Sequence, residues 1–145
     1  MIDGGYKHMS RRSARDNAFK CIYEYEFDKS IDVNKIIDNC KEENKLDEED
    51  AKYVNDVVLG INENIDVIDE IILKNLKNWN INRIAKIDLA ILRVAVYEIK
   101  FIKDIPVKVS ANEAVELAKL YGDQNSKSFV NGLIAKVIKD LQEDK

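Results

Sequence analysis

The chain has 145 residues, 46% hydrophobic and 34% charged, with 27 acidic residues against 23 basic ones and a formal net charge of -4. That length suits one domain, or two small subdomains sharing a core, and is enough to bury roughly two thirds of the unfolded surface. Five glycines and a single proline, Pro106, favour helices over a many-turned β-architecture, and no apolar run approaches the roughly 18 residues of a membrane span.

The first residues, MIDGGYKHM, read like an expression leader ending in His-Met, with Met9 as the natural start. Residues 1–8 are therefore set aside, and with them His8, the only histidine. From Arg12 to Phe27, Ala14, Ala18, Cys21, Ile22 and Tyr25 lie on one stripe of a first helix. Asp32 is placed to cap a second, running through Ile36, Ile37 and Cys40. The tract KEENKLDEED that follows holds two lysines against six acids, and reads as a solvated loop plus the acid-rich first turn of helix three. That helix continues through Tyr53, Val54, Val57, Val58 and Ile61, and Asn64 is expected to cap a fourth containing Ile65, Ile68, Ile71, Ile72 and Leu76.

Trp79, in the connection NWN, is expected to plug the junction between subdomains. The stretch from Ile84 to Ile99 is apolar on most of its circumference between Leu89 and Val96, which places it at the centre of a bundle. Pro106 stops it. Ser110-Ala-Asn-Glu113 has capping-box spacing, so the next helix is expected near Ala111, ending at Gly122 as a left-handed C-cap. A last helix from about Asn125 carries Phe129, Val130, Leu133, Ile134, Val137 and Leu141, with Gly132 expected to permit a close helix contact. The expectation is all-α: about seven helices and no sheet.

Enzymatic chemistry finds little footing. There is no glycine-rich phosphate loop, no nucleotide fingerprint and no paired zinc motif. Without a native histidine, triads built on that residue are excluded. Cys21 and Cys40 lack metal-ligand spacing and read as reduced thiols of a cytoplasmic protein. No metal, cofactor or catalytic residue is expected.

The first helix is the anomaly. Arg11, Arg12 and Arg15 crowd its N-terminal turn, where the partial positive charge of unpaired amides makes cations mildly unfavourable. Across residues 9–20, four cations face one anion, Asp16, in a chain that is negative overall. Such segregation marks a polyanion-facing end. At 100° per residue, Arg12, Phe19 and Tyr23 fall within about 40° of one another, so a guanidinium and two aromatic rings share one edge. Arginine forks hold phosphate and aromatic rings stack unpaired bases, a combination suited to single-stranded RNA. On the same residues a second reading stands beside it: the arginines pair with acids of the acidic tract or the second subdomain, and Phe19 and Tyr23 are core aromatics.

Two sets of motifs then carry a resemblance. Arg11 to Tyr23 follows R-R-x-A-R-x-x-A-x-x-x-x-Y, and the C-terminal half holds DLAILRVAVYEI, IPVKVSANEAVELAKLYG and SKSFVNGLIAKV. From Met9 to Ile138 the sequence resembles the NusB family of bacterial transcription antitermination factors, although between Asp32 and Lys74 it matches only in pattern. The resemblance implies two packed helical bundles, about 9–62 and about 63–141, within one domain over 9–145. It implies binding of the boxA element of nascent RNA together with the ribosomal protein NusE, and entry into an antitermination complex on RNA polymerase during ribosomal RNA synthesis.

By position, the resemblance assigns Arg11, Arg12 and Arg15 to RNA phosphates, Tyr23 to a base, Asp88 to a base edge or to orienting an arginine, and Lys127 and Phe129 to the rest of the RNA surface. Ser13 stands where some relatives carry a third basic residue, which weakens phosphate binding. Alanine at Arg12 and Arg15 is expected to weaken RNA binding and leave helical content almost unchanged. A homodimeric helical interaction module with an occluded arginine face is the alternative. A fragment of an RNA cytosine methyltransferase is a third reading, disfavoured because the chain has no room for a methyl-donor fold.

Overall fold

A computed structural model describes residues 11–76 and 80–143. Among them are seven α-helices, α1 (Arg11–Phe27), α2 (Val33–Glu43), α3 (Glu48–Glu63), α4 (Ile65–Lys74), α5 (Lys86–Phe101), α6 (Val107–Tyr121) and α7 (Ser126–Glu143), with one 3-10 turn (Ile81–Arg83) and no strand. Trp79 and residues 1–8 lie outside the described residues.

Local chemistry accounts for several boundaries. The Asp32 side chain accepts from the Asn34 amide at 2.9 Å, capping α2. Asp47 does the same for Asp50 at 2.8 Å, and Glu48, Glu49 and Asp50 fill the first turn of α3, where the helix dipole favours them. Asn64 behaves differently from expectation: its side-chain amide donates back to the Gly60 carbonyl at 2.8 Å, closing α3 and making no side-chain cap for α4.

Helix α5 is the central post. Every residue from Asp88 to Val96 is buried, and the helix packs against α1, α3, α4, α6 and α7. Helices α1, α2 and α3 pack on one another, so α1 and α3 join that trio to the set around α5. One contiguous apolar cluster extends from Ala14 to Val137. Arg93, 5% exposed on α5, fixes the join: it donates to both Asp69 oxygens on α4 at 2.9 Å and to Glu26 on α1 at 2.6 Å.

Three further expectations are corrected. Helix α6 starts at Val107, directly after Pro106, so Ser110 lies inside it, 1% exposed, and no capping box forms. Ser110 Oγ donates to Glu98 and Glu113 pairs with Arg12, so both residues of the supposed box serve tertiary contacts. Gly122 has φ -86° and ψ -176°, not left-handed; it is needed because a Cβ there would stand 2.3 Å from Ser126 Oγ. Gly132 is exposed, and an added Cβ would meet nothing within 4 Å. No helix among the described residues is long and apolar enough to cross a membrane.

Candidate nucleic-acid interface

The arginines at the start of α1 separate into different environments. Arg11 opens the helix, and its side chain lies outside the described ones. Arg12 is 71% exposed, yet its Nε and Nη2 grip the two oxygens of Glu113 on α6 at 3.0 and 2.8 Å. This is a bidentate fork, which leaves Nη1 turned away from that pair. Arg15, one helical turn on, is 3% exposed: its Nε donates to Glu98 of α5 at 2.7 Å, and its Nη1 lies 3.9 Å from Glu113. Glu98 is fully buried and also accepts from the Tyr53 hydroxyl and from Ser110 at 2.7 Å, so three other helices supply its shell. A buried carboxylate is tolerated only with such partners.

The pairing of arginines with acids of the second subdomain, the alternative open from sequence, is therefore realised for Arg12 and Arg15. The acidic tract supplies neither partner. Phe19, 2% exposed, is a core aromatic.

Aromatic rings continue the surface. Phe19 stacks on Tyr23 at 6.0 Å between centroids and leans on Tyr121 at 5.0 Å, while Tyr23 meets Phe27 edge-on at 4.9 Å. The ladder runs from the core to Phe27, which is 59% exposed and has the Lys86 ammonium over its ring at 5.6 Å. The Tyr121 hydroxyl donates to Asp16, and Lys20 sits over the Tyr121 ring at 5.6 Å.

Two grooves meet at Tyr121. The larger, about 640 Å³, includes Arg12, Arg15, Glu113, Glu116, Lys119 and Leu120 in its lining. The smaller, about 370 Å³, is bounded by Tyr23, Lys86, Asp88, Gly122, Asp123 and Ser126. Asp88 is 7% exposed in the first turn of α5, and its Oδ1 has no hydrogen-bond partner among the described residues. Burial raises its carboxyl above the usual range; a hydrogen bond with Ser126 opposes this and the charge of Asp123 adds to it. Ser126 is held in turn by Asp123, whose side chain accepts from the Asn125 and Ser126 amides at 2.8 and 3.1 Å.

The structure thus brings Tyr23 and Asp88 into one groove and Arg12 and Arg15 into its neighbour. Lys127 is exposed and Phe129 half-buried against the core; both begin α7 beside Ser126 but line neither groove. Sequence reasoning missed Phe27, Lys86, Tyr121 and Glu113. Phe27 had a signal, the Phe19-Tyr23-Phe27 repeat every four residues. Glu113 had none, because its partner is 101 positions away.

A sequence model of the NusB family matches residues 12–139. Transcription antitermination protein NusB of Clostridium acetobutylicum is 46% identical over 135 residues, covering 93% of this chain and 99% of its own. Its namesake from Acetivibrio thermocellus is 47% identical over 131 residues, 90% of each. Among solved structures, T. maritima NusB aligns with a TM-score of 0.85 at 37% identity, over 89% of this chain and 90% of its own. A chain from a complex described as antitermination factors NusB and NusE with double-stranded RNA aligns with a TM-score of 0.83 at 27% identity, over 90% and 96%.

Proposed function

The chain belongs to the NusB family, and from that premise we propose that it is an RNA-binding transcription antitermination factor. It binds boxA-type RNA with the ribosomal protein NusE and joins an antitermination complex on RNA polymerase during ribosomal RNA transcription. No covalent step is involved.

The observation that carries the RNA reading is Arg12: a guanidinium 71% exposed, held along one edge by Glu113, in the lining of a groove that Tyr121 borders. Its guanidinium and Arg11 take phosphates. Tyr23 and the exposed Phe27 offer stacking faces, and Asp88, in the lining of the smaller groove, is the acid assigned to a base edge. Lys127 and Phe129 extend the surface at the start of α7. Arg15 contributes from beneath, holding the first turn of α1 against α5 through Glu98. A net charge of -4 makes unaided affinity modest. NusE then adds a second RNA-contacting surface and raises the effective concentration of each.

The test is anisotropy of a labelled boxA-type RNA at two salt concentrations, with this protein alone and with purified NusE. Binding should tighten with NusE, and Arg12→Ala should lower the log-log salt slope by about one. An unlabelled duplex competitor distinguishes single-stranded from double-stranded recognition. Unchanged affinity and slope in Arg12→Ala would move the RNA surface elsewhere.

A second reading, a homodimer that covers the arginine face, is favoured by Leu120, 69% exposed on the border of the larger groove. Concentration-dependent sedimentation that RNA fails to shift would support it.

A further inference from the structure

The Glu113 carboxylate holds Arg12 in the way a phosphate would. Both oxygens meet the guanidinium fork, at 3.0 and 2.8 Å, in the bidentate geometry that arginine uses for either anion. The acid is rooted in α6 and only 16% exposed, while the fork it reaches is at the surface, 71% exposed, where a polyanion arrives. Resting on the RNA-binding reading above, we propose that Glu113 is an intramolecular competitor for RNA: in the free protein it occupies the phosphate position on Arg12, and RNA engages that fork by displacing it.

Two features make displacement cheap. The Arg12 side of the pair is open to solvent, 71% exposed, and the phosphate that replaces Glu113 restores a bidentate contact on the same fork. The displaced carboxylate also has a second cation at hand, since Arg15 Nη1 already lies 3.9 Å from it. The carboxylate therefore has two stations: shared between the arginines when RNA is absent, and on Arg15 when RNA holds Arg12. Phosphate binding by this protein is thereby made conditional, and a lone phosphate gains less than a strand that also fills the aromatic groove.

Glu116 supplies the control. It lies on the same helix and its charge also acts on Arg12, but its carboxylate pairs with Lys119 at 3.2 Å and does not occupy the fork. Glu113→Gln and Glu116→Gln change the net charge equally, and only the first empties the fork of an anion.

The experiment measures boxA-type RNA affinity for the wild type, Glu113→Gln, Glu116→Gln, Arg12→Ala and the Arg12→Ala/Glu113→Gln double variant, with an unfolding curve for each. Glu113→Gln should bind about two- to five-fold more tightly, Glu116→Gln should gain less than half of that, and the gain should vanish in the double variant. Glu113→Asp, too short to span the fork, should show the same gain, and it serves if the glutamine variant is poorly folded. Equal gains from Glu113→Gln and Glu116→Gln would reduce the effect to general charge and overturn the proposal. Weaker binding by folded Glu113→Gln would make Glu113 a positioning residue instead. If Arg12→Ala retains full affinity and slope, the RNA reading of the arginine end falls as well; if Arg12→Ala loses affinity while Glu113→Gln is silent, only the competitor falls.

Discussion

Arg15→Ala tests the division of labour between the arginines most sharply. The substitution leaves Glu98, fully buried, with the Tyr53 hydroxyl and Ser110 Oγ as donors and no cation. Removing one partner of a buried pair costs about 3–5 kcal/mol, because the other charge stays behind uncompensated. A domain has about 5–15 kcal/mol in all. At roughly 3–5 °C per kcal/mol for a chain of this size, the melting midpoint should fall by about 10–20 °C. Urea and thermal unfolding at neutral pH, followed by circular dichroism, read this directly. The sequence alone leads to the expectation that alanine at both Arg12 and Arg15 spares the helices; the buried Arg15–Glu98 pair restricts that expectation to Arg12. Arg15→Ala/Glu98→Gln should recover part of the loss, since the stranded charge is gone. A folded Arg15→Ala melting within about 2 °C of the wild type would refute the argument, as it would mean that Glu98 does not depend on its cation.

Asp88 makes the opposite trade. Its carboxyl is raised by burial, so the charged form is less favoured folded than unfolded. The resulting penalty is present above the raised value and relieved as pH falls through it. Asp88→Asn should therefore raise the melting temperature at pH 7 and lose that advantage below about pH 4, while weakening RNA binding; no gain at pH 7 would count against the burial argument. Glu113 has the reverse sign: the hydrogen bond from Arg12 outweighs partial burial and lowers its carboxyl. Its stabilising share is intact above the unfolded value and lost as pH falls through the lowered one, so Glu113→Gln should flatten the acid limb of the stability curve. Gly132→Ala, on an exposed face of α7 with nothing in reach, should stabilise by about 0.5–1 kcal/mol in urea melts. Gly122→Ala should instead destabilise and disturb RNA binding, because its Cβ would meet Ser126 at 2.3 Å and the Ala118 carbonyl at 2.8 Å. Leu92→Asp puts a charge at a fully buried point of α5 and should leave no cooperative unfolding transition.

Where sequence reasoning succeeded, the signal was local or periodic. The apolar circumference of residues 88–96 identified the central helix because full burial removes any need for a polar face. Asp32 could be read as a cap because its partner is two residues away. Where it failed, a spacing had more than one use. Ser110 and Glu113 have the spacing of a capping box, but Pro106 starts α6 a turn earlier, leaving Ser110 beneath Glu98 and Glu113 beneath Arg12. Gly122 was placed at the right corner for the wrong reason: crowding by Ser126, not a left-handed backbone, demands glycine.

The sequence by itself determined that the chain is helical, which faces of its helices are apolar, which family it joins, and that cations gather at the start of α1. Those properties follow from residue types within a few positions of one another. Only the tertiary structure decided what each cation does. Arg12 and Arg15 are three residues apart and chemically identical, yet one is 71% exposed and the other 3%. Three residues turn a helix by about 300°, and the acids that receive the two guanidinium groups come from α6 and α5, helices distant in the chain and brought to α1 by packing.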